Sequence, residues 1–143
     1  MLKGISPLIS PDLLLTLSAM GHGDDIVFAD AHFPGQSCNP NCLRADGLKV
    51  ADLLDAILPL FELDSYVDAP AVMIAPAPGD DFDPGVKKRL AETIARHQPN
   101  APAIAEIDRF SFYDQSRNAF AVVMTGDTVK YGCIILKKGV TPC

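Results

Sequence analysis

The chain has 143 residues, 48% of them hydrophobic and 21% charged, with a formal net charge of −6. That length suits one domain with its own core, which needs neither a disulfide framework nor a structural metal to fold. An acidic surface repels phosphate backbones, so a nucleic-acid partner is not expected and a small neutral or polar ligand fits better.

No apolar run reaches the ~18 residues that cross a bilayer, so no membrane partner is expected. Residues 1–7 lack the apolar stretch and cleavage site of a secretory leader, and the expected compartment is the cytoplasm. There, Cys38, Cys42, Cys133 and Cys143 are expected as free thiols. Cys38 and Cys42 form a C-x3-C pair downstream of His32. Structural zinc sites usually have four ligands at tighter spacing, so loop thiols are the better reading and no metal is expected.

In chain order, Ser10 reads as an N-cap, Pro11 as the first helical residue and Asp12 as a complement to the helix dipole. Leu13, Leu14, Leu17 and Met20 repeat at helical spacing, and Gly21 is the expected stop. Residues 26–30 read as a short strand with a polar end. A loop is expected through Pro34, Gly35, Pro40 and Asn41, then a short strand over 43–45. Residues 50–61 read as a helix with Val50, Leu53, Leu54, Ile57 and Leu58 on one face, bent or ended by Pro59. Residues 71–75 form a buried-type strand, 79–81 a turn, and 83–97 a helix opened by Asp83-Pro84. A strand over 104–107, a short helix over 110–118, and strands over 119–124 and 131–136 complete the chain. The last two are expected to pair through the turn Gly126-Asp127. This alternation predicts an α/β fold: a single layered domain with a largely parallel central sheet flanked by helices. In such sheets ligands sit beyond the carboxyl ends of the strands.

His22 stands between Gly21 and Gly23, after a helix and before a strand. Glycines leave the imidazole uncovered, and a group with a pKa near ~6.5 both gives and takes protons, although a polar turn residue fits the spacing as well. The Gly21-x-Gly23 pair is no dinucleotide loop, because the third glycine is missing and the order is helix then strand. Asp30, at a strand end, can accept from sugar hydroxyls or cap the next loop. Arg109 and Tyr113 flank Phe110-Ser111-Phe112, offering a donor fork and rings for a sugar face, with plain core as the alternative for the phenylalanines. Tyr131-Gly132-Cys133 opens the last strand. Gly132 lets a ligand approach the backbone, and Tyr131 is a phenolic acid or base, or an edge residue.

Seven blocks carry a resemblance: Gly21-His22-Gly23-Asp24, Asp30-Ala31-His32-Phe33-Pro34, Arg44-Ala45-Asp46-Gly47, Phe61-Glu62-Leu63-Asp64-Ser65-Tyr66, Arg109-Phe110-Ser111-Phe112-Tyr113, Lys130-Tyr131-Gly132 and Leu136-Lys137-Lys138-Gly139-Val140. In order and over essentially the whole chain, they resemble the fucose mutarotase/ribose pyranase family. The resemblance implies a ribose-pyranase-like fold, one mutarotase domain over residues 1–143, and interconversion of the α and β anomers of a monosaccharide without any cofactor. Gly23, His32-Phe33-Pro34 and Arg44-Ala45-Asp46-Gly47 favour L-fucose over D-ribose. Ribose pyranase activity and a non-catalytic sugar-binding module are the alternatives.

Carried over, His22 matches the family's proton-donating histidine. Asp30, Asp64, Arg109, Tyr113 and Tyr131 match positions of sugar binding or proton transfer, with Tyr131 or Tyr113 as the proton partner of His22. Gly132 and Cys133 fall in the substrate-binding set. Cys133 departs from the usual asparagine, and residues 35–42 depart as well. The family's cyclic oligomers, often decamers with sites near subunit contacts, imply a homo-oligomer.

Overall fold

A computed structural model describes residues 1–143. Helix α1 (Pro11–Ala19) begins as its sequence requires, with Ser10 Oγ accepting the Leu13 N–H at 3.2 Å. Its stop differs from expectation. Gly21 is not left-handed; the chain already turns extended at Met20 (φ −64°, ψ 140°), and the left-handed residue is Gly23 (φ 88°). Lys138 Nζ takes over the terminal capping by donating to the carbonyls of Leu17 and Met20 at 2.6 and 2.9 Å.

The remaining elements are β1 (Asp25–Ala29), α2 (Gly35–Cys38), β2 (Cys42–Ala45), α3 (Val50–Ile57), β3 (Ala71–Ile74), α4 (Gly85–His97), β4 (Ala105–Ile107), α5 (Arg109–Arg117), β5 (Ala121–Thr125) and β6 (Ile134–Lys137). The expected loop at 35–42 contains the short helix α2, where a Cβ on Gly35 would collide with the Met124 side chain. Pro59 ends α3 early, and a 3-10 turn over Leu58–Leu60 follows.

All six strands form one mixed sheet in the order β2-β5-β1-β6-β3-β4. Five run in one direction, and β6 lies antiparallel between β1 and β3. The expected pairing of the last two strands is overturned, because β1 separates them. Asp127 explains the crossing. Its carbonyl accepts the Ala31 N–H at 2.7 Å and its carboxylate accepts the Val129 N–H, so the chain leaving β5 is drawn across the end of β1. Extended structure resumes only at Ile134, since Tyr131 has φ 58° and breaks the strand.

Strand residues alternate between two cores. Ile26 and Phe28 face the larger one with Leu13, Leu17, Leu53, Leu54 and Leu90, while Val27 and Ala29 face the smaller one with Phe112, Val122 and Ile135. Because helices cover both faces, the central strands are continuous apolar runs, as the sequence suggested. The reversal of β6 positions the chemistry. Its start meets the carboxyl ends of β1 and β3, and its end meets the start of β1.

Candidate active site

At the carboxyl ends of β1 and β3 a cavity of about 370 Å³ is lined by Asp30, His32, Phe33, Ile74, Asp80, Arg109, Tyr113, Lys130, Tyr131 and Cys133. Its size suits a small-molecule ligand. Asp30 is buried, and its carboxylate accepts the His32 N–H at 3.0 Å and the Gly132 N–H at 3.2 Å. The Cys133 thiol donates to the same carboxylate at 3.3 Å and accepts the Asp30 N–H at 3.3 Å. Burial, reinforced by the Asp30 charge, pushes the Cys133 thiol well above its usual range. Cys133 is therefore a neutral donor held on Asp30.

Gly132 has a reason other than the one its sequence suggested. A Cβ there would meet Val129 Cγ2 at 2.8 Å and Asp30 Cβ at 3.5 Å, so glycine serves the packing of residues 129–133 on Asp30. Tyr131 is the one non-glycine residue with positive φ, a conformation that costs of order 1–3 kcal/mol and concentrates at functional sites. Its Oη donates to Asp80 Oδ2 at 2.5 Å and accepts the Ala77 N–H at 3.1 Å. The Tyr131 hydroxyl and then Lys130 hold the Asp80 carboxyl below the usual carboxylate range.

Helix α5 brings in the last two residues, because Asp108 caps its start by accepting the Ser111 N–H at 3.0 Å. The Arg109 guanidinium lies 4.9 Å over the Phe110 ring and keeps no carboxylate partner in the chain. Tyr113 packs edge-on against Phe33 at 5.3 Å. Of the two phenylalanines, Phe112 is core and Phe110 is exposed.

His22 and Asp64 are elsewhere. Asp64 is buried beside the end of β6, its N–H donating to the Lys137 carbonyl at 3.0 Å. His22 Nε2–H donates to Asp64 Oδ1 at 3.1 Å, and the imidazole is half-exposed at 46%. The exposed Tyr66 ring sits 5.3 Å from it, and the Tyr66 N–H also reaches Asp64 Oδ1 at 3.0 Å. That amide, seconded by His22, holds the Asp64 carboxyl below its ordinary value. The full five-residue length of β1, about 16 Å at ~3.3 Å per residue, separates this pair from Asp30. Within one chain the residues singled out by sequence thus form two groups: His22 with Asp64 at the amino end of β1, and Asp30, Arg109, Tyr113, Tyr131, Gly132 and Cys133 at its carboxyl end.

Sequence reasoning missed Asp80, Lys130 and Phe82. The available signal was position, since residues 75–84 follow a strand and so lie at its carboxyl end. His32, Cys38 and Cys42 do not converge: His32 Nε2–H donates to the Thr128 carbonyl, and Cys38 Sγ–H to the Tyr113 carbonyl. No group of three His, Cys, Asp or Glu side chains is placed to hold a metal ion. No helix is long and apolar enough to cross a membrane.

A mixed α/β sheet with a sugar-sized cavity at its carboxyl edge defines a fold class shared with solved structures. The fucose mutarotase from Streptococcus pneumoniae, solved in complex with L-fucose, is 45% identical, with a TM-score of 0.93 over 99% of this chain and 100% of that one. FucU from Bifidobacterium longum is 40% identical, with a TM-score of 0.94 over 98% of this chain and 100% of that one. Bacillus subtilis RbsD, solved with D-ribose, shares the fold at 21% identity and a TM-score of 0.77, over 99% of this chain and 100% of that one. The model of the RbsD / FucU transport protein family matches residues 3–141. The chain belongs to the RbsD/FucU family.

Proposed function

We propose that this protein is an isomerase that interconverts the α and β anomers of L-fucose by acid–base ring opening and closure. One observation carries the reading: a buried carboxylate, a strained tyrosine and an unpaired arginine line one sugar-sized cavity, in a chain 45% identical to a fucose mutarotase bound to L-fucose. Asp30 and Arg109 hold the sugar hydroxyls, and Tyr113 and Phe33 offer rings to its apolar face. Ring opening moves two protons. Tyr131 takes the proton of the anomeric hydroxyl, and an imidazolium protonates the ring oxygen as its bond to the anomeric carbon breaks. Rotation of the aldehyde and closure on its other face reverse both transfers. Positioned acid–base groups supply ~10²–10⁴-fold in such steps.

The imidazole comes from a second copy. His22 and Asp64 lie at the end of the sheet's strands opposite the cavity, with the imidazole and Tyr66 turned to solvent. Contact between unlike ends of identical chains is head-to-tail, the kind that closes into rings. We therefore assign a cyclic homo-oligomer in which His22 of the partner subunit, oriented by Asp64 of the partner subunit, completes each cavity. Four free thiols fit a cytoplasmic setting.

Saturation-transfer NMR on L-fucose and D-ribose tests the function. Accelerated anomer exchange is expected for L-fucose. No acceleration for either sugar would overturn the reading, and acceleration for ribose alone would replace fucose as the substrate.

A further inference from the structure

Residues 75–84 join β3 to α4 and form an arm that reaches residues 130 and 131. Asp80 grips both: Lys130 Nζ donates to Oδ1 at 3.0 Å, and Tyr131 Oη donates to Oδ2 at 2.5 Å. The Ala77 N–H donates to the same phenol oxygen at 3.1 Å, and Phe82 meets the Tyr131 ring edge-on at 5.9 Å. The Tyr131 proton is therefore committed to a carboxylate. An acceptor site on its oxygen is left for a ligand hydroxyl. A free phenol, with a reference pKa of ~10, can meet a sugar hydroxyl as donor or as acceptor; this one is limited to the second role.

We propose that Asp80 is the positioning residue that makes Tyr131 the base of the reaction, by orienting the phenol and receiving its proton. The proposal rests on the mutarotase reading and deepens it. During ring opening the anomeric O–H proton passes to Tyr131 Oη while the phenolic proton passes to Asp80 Oδ2. The anomeric C–O bond to the ring oxygen breaks, the aldehyde C=O forms, and the ring oxygen takes its proton from His22 of the partner subunit. Closure returns every proton. Lys130 stays paired with Asp80, so the carboxylate holds its proton only for the lifetime of the open chain. Tyr131 and then Lys130 hold the Asp80 carboxyl below the usual carboxylate range, so it faces the phenol as an ionised hydrogen-bond acceptor.

The test compares wild type, D80N, Y131F and D80N/Y131F by L-fucose anomer exchange, with the enzyme-free rate subtracted and thermal melts as the fold check. D80N keeps the shape of the side chain but cannot take a proton. Its kcat is expected to fall about 10–100-fold at neutral pH, with KM little changed, because Asp80 acts through Tyr131 rather than on the sugar. D80N/Y131F should be no slower than Y131F. A D80N loss that falls on KM rather than kcat, or losses that multiply in the double variant, would overturn the role of Asp80. If D80N melts early, D80S takes its place in the same comparison. Lack of exchange by the wild type defeats the mutarotase reading itself, and Y131F at wild-type speed defeats the tyrosine base, each without reference to Asp80.

Discussion

Cys133 and His22 differ in exposure, the first buried and the second half-open to solvent. The thiol of Cys133 is buried, hydrogen-bonded to Asp30 and shifted upward, so it is a poor nucleophile. Alkylation of the native protein at mild alkaline pH should mark exposed Cys143 first and leave Cys133 unmodified until denaturant is added, as read by peptide mass spectrometry. Cys133→Ser keeps a donor to Asp30 and should retain anomer exchange, whereas Cys133→Val should lower it. His22 is half-exposed and its ring is bonded only to Asp64. His22→Ala should lower exchange by roughly 10²-fold or more, with the melting temperature nearly unchanged, since acid–base partners act in the transition state and not in the core. Asp64 sets an acid limit. Its folded pKa is lowered, so the stability it contributes is complete above the ordinary value of 3.8 and is lost as pH falls through the folded value below that. An acid titration followed by circular dichroism should show this component only below the usual carboxylate range, and Asp64→Asn should remove it.

Among the elements, α1 and β1 carry the turn that presents His22 and the strand end that presents Asp30. Ser10 caps α1, and Ser10→Ala should cost about 1 kcal/mol in urea denaturation while leaving exchange intact. Phe28 lies fully buried at the centre of the sheet in β1, and Phe28→Ala should cost about 3–5 kcal/mol by the same measurement. Helices α1, α3, α4 and α5 were legible to within a few residues, α1 from its Ser10 cap and α3 from its apolar periodicity, because local spacing and capping chemistry decide where a helix forms. The partner of β6 was not. Two apolar runs either side of Gly126-Asp127 look like a hairpin, and only the bond from the Ala31 N–H to the Asp127 carbonyl explains why the chain passes over β1 instead.

For the whole molecule, the decisive feature is that His22 and Asp30 lie at opposite ends of the central strand β1. A head-to-tail ring predicts complementation. Mixed oligomers of His22→Ala and Tyr131→Phe chains, each inactive alone, should recover roughly a quarter of the wild-type exchange rate, because random pairing unites intact half-sites at that frequency. Recovery absent from mixed oligomers verified by native mass spectrometry would place the whole site within one chain.

The sequence by itself determined the α/β class and the apolar strands buried on both faces, since each depends on local pattern. Tertiary structure alone decided the reversed β6, the left-handed Tyr131, the grip of Asp80 on its phenol and the division of the chemical residues between two ends. Those depend on contacts between residues far apart in the chain, and no local spacing encodes which end of a strand a side chain will share.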